Sequence, residues 1–260
     1  MIAALALADP ATAADGVPPP ATLQRLLVES YPAMITRGAG DSITVAGRVK
    51  LPIDAIDTAR RRPQVLAAPT ISEMFVDAYR VGRLPSPPPQ AFDPGRARNA
   101  ELFDAMYGNC AKGDVERNLV EIVWLPGKSG DRLRITRVNG VAEKLAAVSA
   151  ELDRLPARFD VYLKPSAGTY NCRPVAGTER ASAHGWGIAI DIATRHAHYW
   201  RWQPGKAPAE GSAFPYRNEI PWEIVEIFER HGFIWGGKWY HYDTMHFEYR
   251  PELIAAGRTR

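Results

Sequence analysis

Nothing in the chain approaches the ~20 consecutive apolar residues that a membrane-spanning helix needs. Charge of one sign is also lacking. The 32 Lys and Arg residues nearly balance the 29 Asp and Glu, leaving a formal +3. That is too little to imply a nucleic-acid partner, though it would not repel an anionic polymer. No internal repeat is visible, and the only compositional bias is a proline-rich stretch. Cysteine is scarce, with Cys110 and Cys172 alone. In an exported protein such a pair reads as one disulfide; in a reducing compartment it reads as two unrelated buried thiols.

What is present is loop-forming. There are 22 prolines and 21 glycines in 260 residues, enough chain for one large domain or a domain with an accessory segment. Ile2 to Ala8 is a short apolar run followed by small residues, the pattern of a secretory h-region and cleavage site. No Lys or Arg precedes it, so an Ala-rich tail is the alternative. A possible signal or tail with its linker (1–20), an N-terminal accessory segment (21–94) and a main body (95–260) are the expected divisions. A monomer is expected.

The expected elements begin with a helix from Leu23 to Met34 and a strand or hairpin over Ser42 to Leu51. Helical spacing covers Ile71 to Val81. Leu84 to Pro94 holds five prolines and is a loop or extended arm. A helix over Arg98 to Tyr107 precedes the clearest hairpin, Leu119 to Trp124 with Leu133 to Val138. Val141 to Leu155 places Val141, Leu145, Val148, Leu152 and Leu155 on one helix face. Phe159 to Leu163, Ile188 to Ile192, Phe233 to Trp235 and His246 to Tyr249 read as short strands, and Pro221 to His231 as a helix.

The chemistry gathers in two stretches. Asn171 to Asp191 brackets His184 with glycines and places Asp191 inside an apolar strand, where an unpaired charge is costly. Tyr240 to Glu248 supplies His246, with Asp243 three residues before it. Zinc accepts imidazole and carboxylate ligands and keeps a position open in catalytic sites. His184, Asp191 and His246 are therefore candidate ligands, with His241 the substitute if His246 fails. Asp243 is the candidate general base, able to take a proton from water and return it to a leaving amine. Arg173 and Arg180 flank the His184 loop. Either could stabilise developing negative charge or clamp a substrate carboxylate. His196, His198 and His231 read as structural or loop residues. Trp239 and Tyr240, near Asp243, are candidates for a substrate wall.

S-A-H-G-W-G-I-A-I-D at 182–191 followed by D-T-M-H-F-E at 243–248 resembles the zinc D-alanyl-D-alanine metallopeptidase family. That family includes VanX/VanY-type D,D-carboxypeptidases and L-alanyl-D-glutamate endopeptidases. Ser182, His184, Gly187, Ala189, Asp191, Asp243 and His246 meet its pattern, and the resemblance extends over about residues 95 to 253. It implies a compact α+β fold, a small antiparallel sheet flanked by helices, with an irregular N-terminal accessory segment here. It implies one zinc ion on His184, Asp191 and His246, and Asp243 as base. It places Ser182 beside the substrate carboxylate and an upstream Arg on the scissile carbonyl, Arg173 first and Arg180 second. Peptidoglycan stem peptides would be the substrate, in the periplasm or cell wall. D-Ala–D-Ala is the first choice of bond, and L-Ala–D-Glu or a cross-bridge the alternative, since the shorter Asp occurs in endopeptidase-like branches. A non-catalytic wall-binding module is the reading from another class.

Overall fold

The computed structural model describes residues 16–202, 208–209 and 211–259. The expected leader over residues 1–14 lies outside them. Helix α1 (Pro20–Ser30) opens with Pro at its first turn and buries Leu23, Leu26 and Leu27. It leads into an antiparallel meander, β1 (Ile35–Arg37), β2 (Ser42–Val45) and β3 (Val49–Pro52), in which Ile35 faces Val45 and Ile43 faces Leu51. A short α2 (Arg62–Ala67) follows. Helix α3 (Ala100–Tyr107) is capped by the Asn99 side chain, which accepts from Leu102 N–H, and ends at Gly108.

The hairpin of β4 (Leu119–Trp124) and β5 (Asp131–Thr136) and helix α4 (Val141–Asp153) sit where the alternation and the apolar stripe place them. The site itself stands on a three-stranded sheet in the order β6 (Ala189–Asp191), β8 (His246–Tyr249), β7 (Phe233–Trp235), all antiparallel. Helix α5 (Trp222–Arg230) covers this sheet, with Phe228 stacked on Phe247 at 3.8 Å between ring centroids. Helix α6 (Pro251–Gly257) closes the chain and packs on α1. The class is α+β, with the antiparallel strands divided over three small sheets.

Two expected elements differ. Residues 71–81 form only a 3-10 turn, Ser72–Phe75. Beyond it the chain finds tertiary partners in place of helical ones: the carbonyls of Arg80 and Gly82 both accept from Lys238 Nζ, and Tyr79 Oη donates to Glu229. Residues 157–162 form a 3-10 helix instead of a strand, started by Pro156 and tied down by Lys128 on Asp160.

The N-terminal segment is more regular than expected and shares its core with the rest. One apolar cluster runs from Leu23, Leu27 and Ile35 through Phe103 and Tyr107 to Leu253. Leu27 is fully buried on α1. Leu27→Ala is expected to cost about 2–5 kcal/mol. All seven tryptophans lie between positions 124 and 239, so every fluorophore belongs to the other part of the chain. In urea, the fluorescence midpoint of Leu27→Ala should fall together with the circular-dichroism midpoint. An unchanged fluorescence midpoint would mean that the two parts unfold separately.

Candidate metal centre

Strand register makes the first half of the site. Asp191 on β6 pairs directly with His246 on β8, so their side chains emerge side by side on one face. His184 arrives from a 3-10 turn, Ala183–Trp186. Ser182 Oγ accepts from His184 N–H at 3.3 Å to start that turn. Gly187 ends it with a φ of 65°, a left-handed conformation that favours glycine. A side chain at Gly187 would also meet Leu119 and the backbone of Thr136, whose N–H donates to Gly187 O at 3.0 Å. The hairpin β4–β5 thus abuts the His184 turn directly.

His184 Nε2, Asp191 Oδ1 and His246 Nδ1 form a nearly equilateral triangle. The sides are 3.2 Å between the imidazoles, 3.2 Å from His184 to Asp191 and 3.0 Å from His246 to Asp191. A tetrahedral ion with bonds of about 2.0–2.1 Å needs ligand atoms about 3.3 Å apart, so this is one face of such a shell. The remaining nitrogens point at fixed acceptors. His184 Nδ1 lies 2.5 Å from Thr169 O, and His246 Nε2 lies 2.9 Å from Glu248 Oε2. With the outer N–H given to its partner, the nitrogen facing the triangle is the one that offers a lone pair to an ion once its proton is displaced. The three residues can hold a metal ion, and they are the only such group among the described residues.

Electrostatics agree. Burial alone would raise the Asp191 pKa, but His184 and His246 outweigh it and hold the carboxyl well below its usual range. Burial opposes charge on His246 as well, yet its bonds to Asp191 and Glu248 push it up to about 10 in the metal-free site. Asp243 behaves in the opposite way. Burial first, and the neighbouring Asp191 second, push its carboxyl up to about 7. Its Oδ1 is buried without a hydrogen-bond partner, and the residue lines the same cavity as the triangle.

Of the other expected residues, Arg173, Arg180, Ser182 and Trp239 line the same cavity as the triangle and Asp243. Arg173 is exposed at its rim, and Trp239 is buried, donating from Nε1 to Pro94 O at 2.6 Å. Tyr240 is not among the lining residues; its hydroxyl donates to Ser212 O. His241 also lines the cavity, bound to Asp93 at 2.8 Å, and is not part of the triangle.

Sequence reasoning missed Arg96, Arg98 and Tyr199 on the cavity, and Asp93 and Glu248 behind it. Glu248 had a signal: two residues from His246 on a strand, it shares that residue's face. The others had none.

Asp93 joins the N-terminal segment to the cavity wall. Its buried carboxylate receives Arg96 at 3.1 Å, Arg62 at 3.2 Å and both the backbone N–H and ring of His241. Burial would raise its pKa, but the His241 bond and the Arg96 charge hold it well below the usual range. Its folded value thus lies below the unfolded value of about 3.9. The stability it adds is complete above that pH and is lost as pH falls further. Asp93→Asn should lower the neutral-pH denaturation midpoint and flatten the loss of stability below about pH 4. An acid limb identical to that of the parent would contradict this.

Cys110 and Cys172 form a disulfide. Cys110 Sγ lies beside the turn at Gly185, where an added Cβ would meet it at 3.3 Å. The bridge therefore secures the loop carrying Arg173 against the turn carrying His184.

Three residues that can hold a metal ion, with a further carboxylate on the same cavity, are compatible with metal-assisted hydrolysis. Residues 176–249 match the family model described as D-alanyl-D-alanine carboxypeptidase, and the match takes in His184, Asp191, Asp243 and His246. Over that stretch the resemblance read from the two motifs stands, and it points to a peptidase of that type. No curated protein and no solved structure matches the chain.

Proposed function

We propose that the protein is a zinc-dependent D-alanyl-D-alanine carboxypeptidase acting on peptidoglycan stem peptides. The carrying observation is the triangle of His184, Asp191 and His246, with the unpartnered Asp243 oxygen on the same cavity. A bound zinc ion supplies Lewis acidity and brings the pKa of a water to about 7. Asp243 accepts the proton of the attacking water and returns it to the leaving D-alanine amine. Arg173 donates to the carbonyl oxygen as negative charge develops, with Arg180 the second candidate. Ser182 sits beside the substrate carboxylate and Trp239 walls the cavity.

Residues 95–260 form the peptidase unit, and 21–94 pack onto it as an accessory segment. The disulfide supports an oxidising destination, the periplasm or cell wall, and among the described residues no helix is long and apolar enough to cross a membrane. The bond is tested by mass spectrometry of products from a defined pentapeptide muropeptide. Loss of a single alanine is the expected result. A cut higher in the stem would replace the carboxypeptidase reading with an endopeptidase.

A further inference from the structure

The two imidazoles of the triangle are held in different ways. His184 leans on Thr169 O, a neutral backbone acceptor, and the Thr169 hydroxyl donates in turn to Arg134 O. His246 leans on Glu248, whose carboxylate is fully buried. A buried carboxylate is costly unless it is paired and hydrogen-bonded, so what holds Glu248 also holds His246.

Two arginines reach it. Arg250 Nη1 donates to Glu248 Oε1 at 3.0 Å, but Arg250 Nε is committed to Glu252 Oε1 at 2.5 Å, and Glu252 is bound in turn by the Oη of Tyr31, the residue that follows α1. Arg98 directs its hydrogen bonds at Glu248. Its Nε lies 3.1 Å from each oxygen, and its Nη2 also contacts Oε2. Such a fork fixes the plane of the carboxylate as well as its charge. The Arg98 guanidinium also lies 5.9 Å from the centroid of the Trp239 ring and borders the cavity. It stands 150 residues before Glu248, outside the matched stretch 176–249.

We infer that Arg98 and Glu248 are positioning residues for the metal centre. The Arg98 fork holds Glu248 so that Oε2 accepts from His246 Nε2–H, which sets the His246 tautomer and leaves Nδ1 as the ligand atom. The inference rests on the reading of His184, Asp191 and His246 as metal ligands. It makes the strength of metal binding depend on a residue just ahead of α3, in a part of the chain that carries no ligand.

The test measures zinc affinity by competition with a chromophoric chelator, together with the visible spectrum of the cobalt-substituted protein, in Glu248→Gln, Arg98→Met, Arg98→Lys and Tyr31→Phe. Loss of an outer-shell partner weakens metal affinity by about 10–100-fold, and that loss is expected for Glu248→Gln and Arg98→Met, with a shifted cobalt spectrum. Arg98→Lys keeps the charge without the fork and should recover part of the affinity. Tyr31→Phe disturbs the same buried network one step further out; it should lower the denaturation midpoint of the metal-free protein and leave zinc affinity unchanged. Should Arg98→Met fail to fold, the Lys and Gln variants carry the test. Parental zinc affinity and cobalt spectra in Glu248→Gln and Arg98→Lys, alongside lowered metal-free stability, would reduce the pair to a structural ion pair and overturn the inference. A parent protein that binds no zinc would instead overturn the reading of the ligands.

Discussion

Asp243→Asn is expected to lower kcat by about 10²–10⁴-fold, the usual worth of a positioned proton acceptor, while zinc stays bound at the parental stoichiometry. Asp243 lies outside the ligand triangle, and its buried Oδ1 has no partner to lose. The amide keeps the shape and removes the basicity, so a structural account predicts little change. Activity should also fall as pH drops through the Asp243 pKa, because only the ionised form accepts a proton. Burial and the Asp191 charge push that value up to about 7 in the metal-free site. A dication beside Asp191 offsets the second cause and favours the ionised form. The acid limb of kcat/KM should therefore lie below pH 7, and Asp243→Asn should remove it. Parental kcat in Asp243→Asn would dismiss this carboxylate as the base.

His184→Ala should abolish tight zinc binding and, with it, hydrolysis. The triangle loses one corner, and the 3.0 Å pair of Asp191 and His246 is left with two ligand atoms where a catalytic zinc site has three. A stability readout accompanies this. A ligand that binds only the folded state at a hundred times its Kd adds about 2.7 kcal/mol. Zinc should raise the parent's Tm, a chelator should reverse the rise, and His184→Ala should show neither effect. Tight, stoichiometric zinc in that variant would refute the ligand set.

How much of this the chain discloses depends on distance along it. Strand β6 was readable from the short apolar run Ile188 to Ile192, and β8 as a short segment beyond the Gly236-Gly237 turn; the facing of Asp191 and His246 follows once those strands pair. The hairpin β4–β5 and helix α4 were readable from period alone. Ile71 to Val81 misled because its spacing is helical while the carbonyls of Arg80 and of Gly82 just beyond it are claimed by Lys238, more than 150 residues away. The inner site was legible for a related reason: His184 and Asp191 lie seven residues apart, and Asp243 lies three from His246. Its outer layer was not. Arg96, Arg98 and Asp93 come from a proline-rich approach to α3 without periodicity, and they meet the site through contacts across about 150 residues. No local pattern encodes such pairs; only the folded register of β8 brings Glu248 to Arg98.

The most direct measurement is hydrolysis of a D-Ala–D-Ala-terminated stem pentapeptide by the zinc-loaded protein, repeated after chelation and after zinc is restored. The account predicts release of D-alanine, its loss with chelator and its recovery with zinc. Release unaffected by complete removal of metal, or no release by the fully loaded protein, would contradict it.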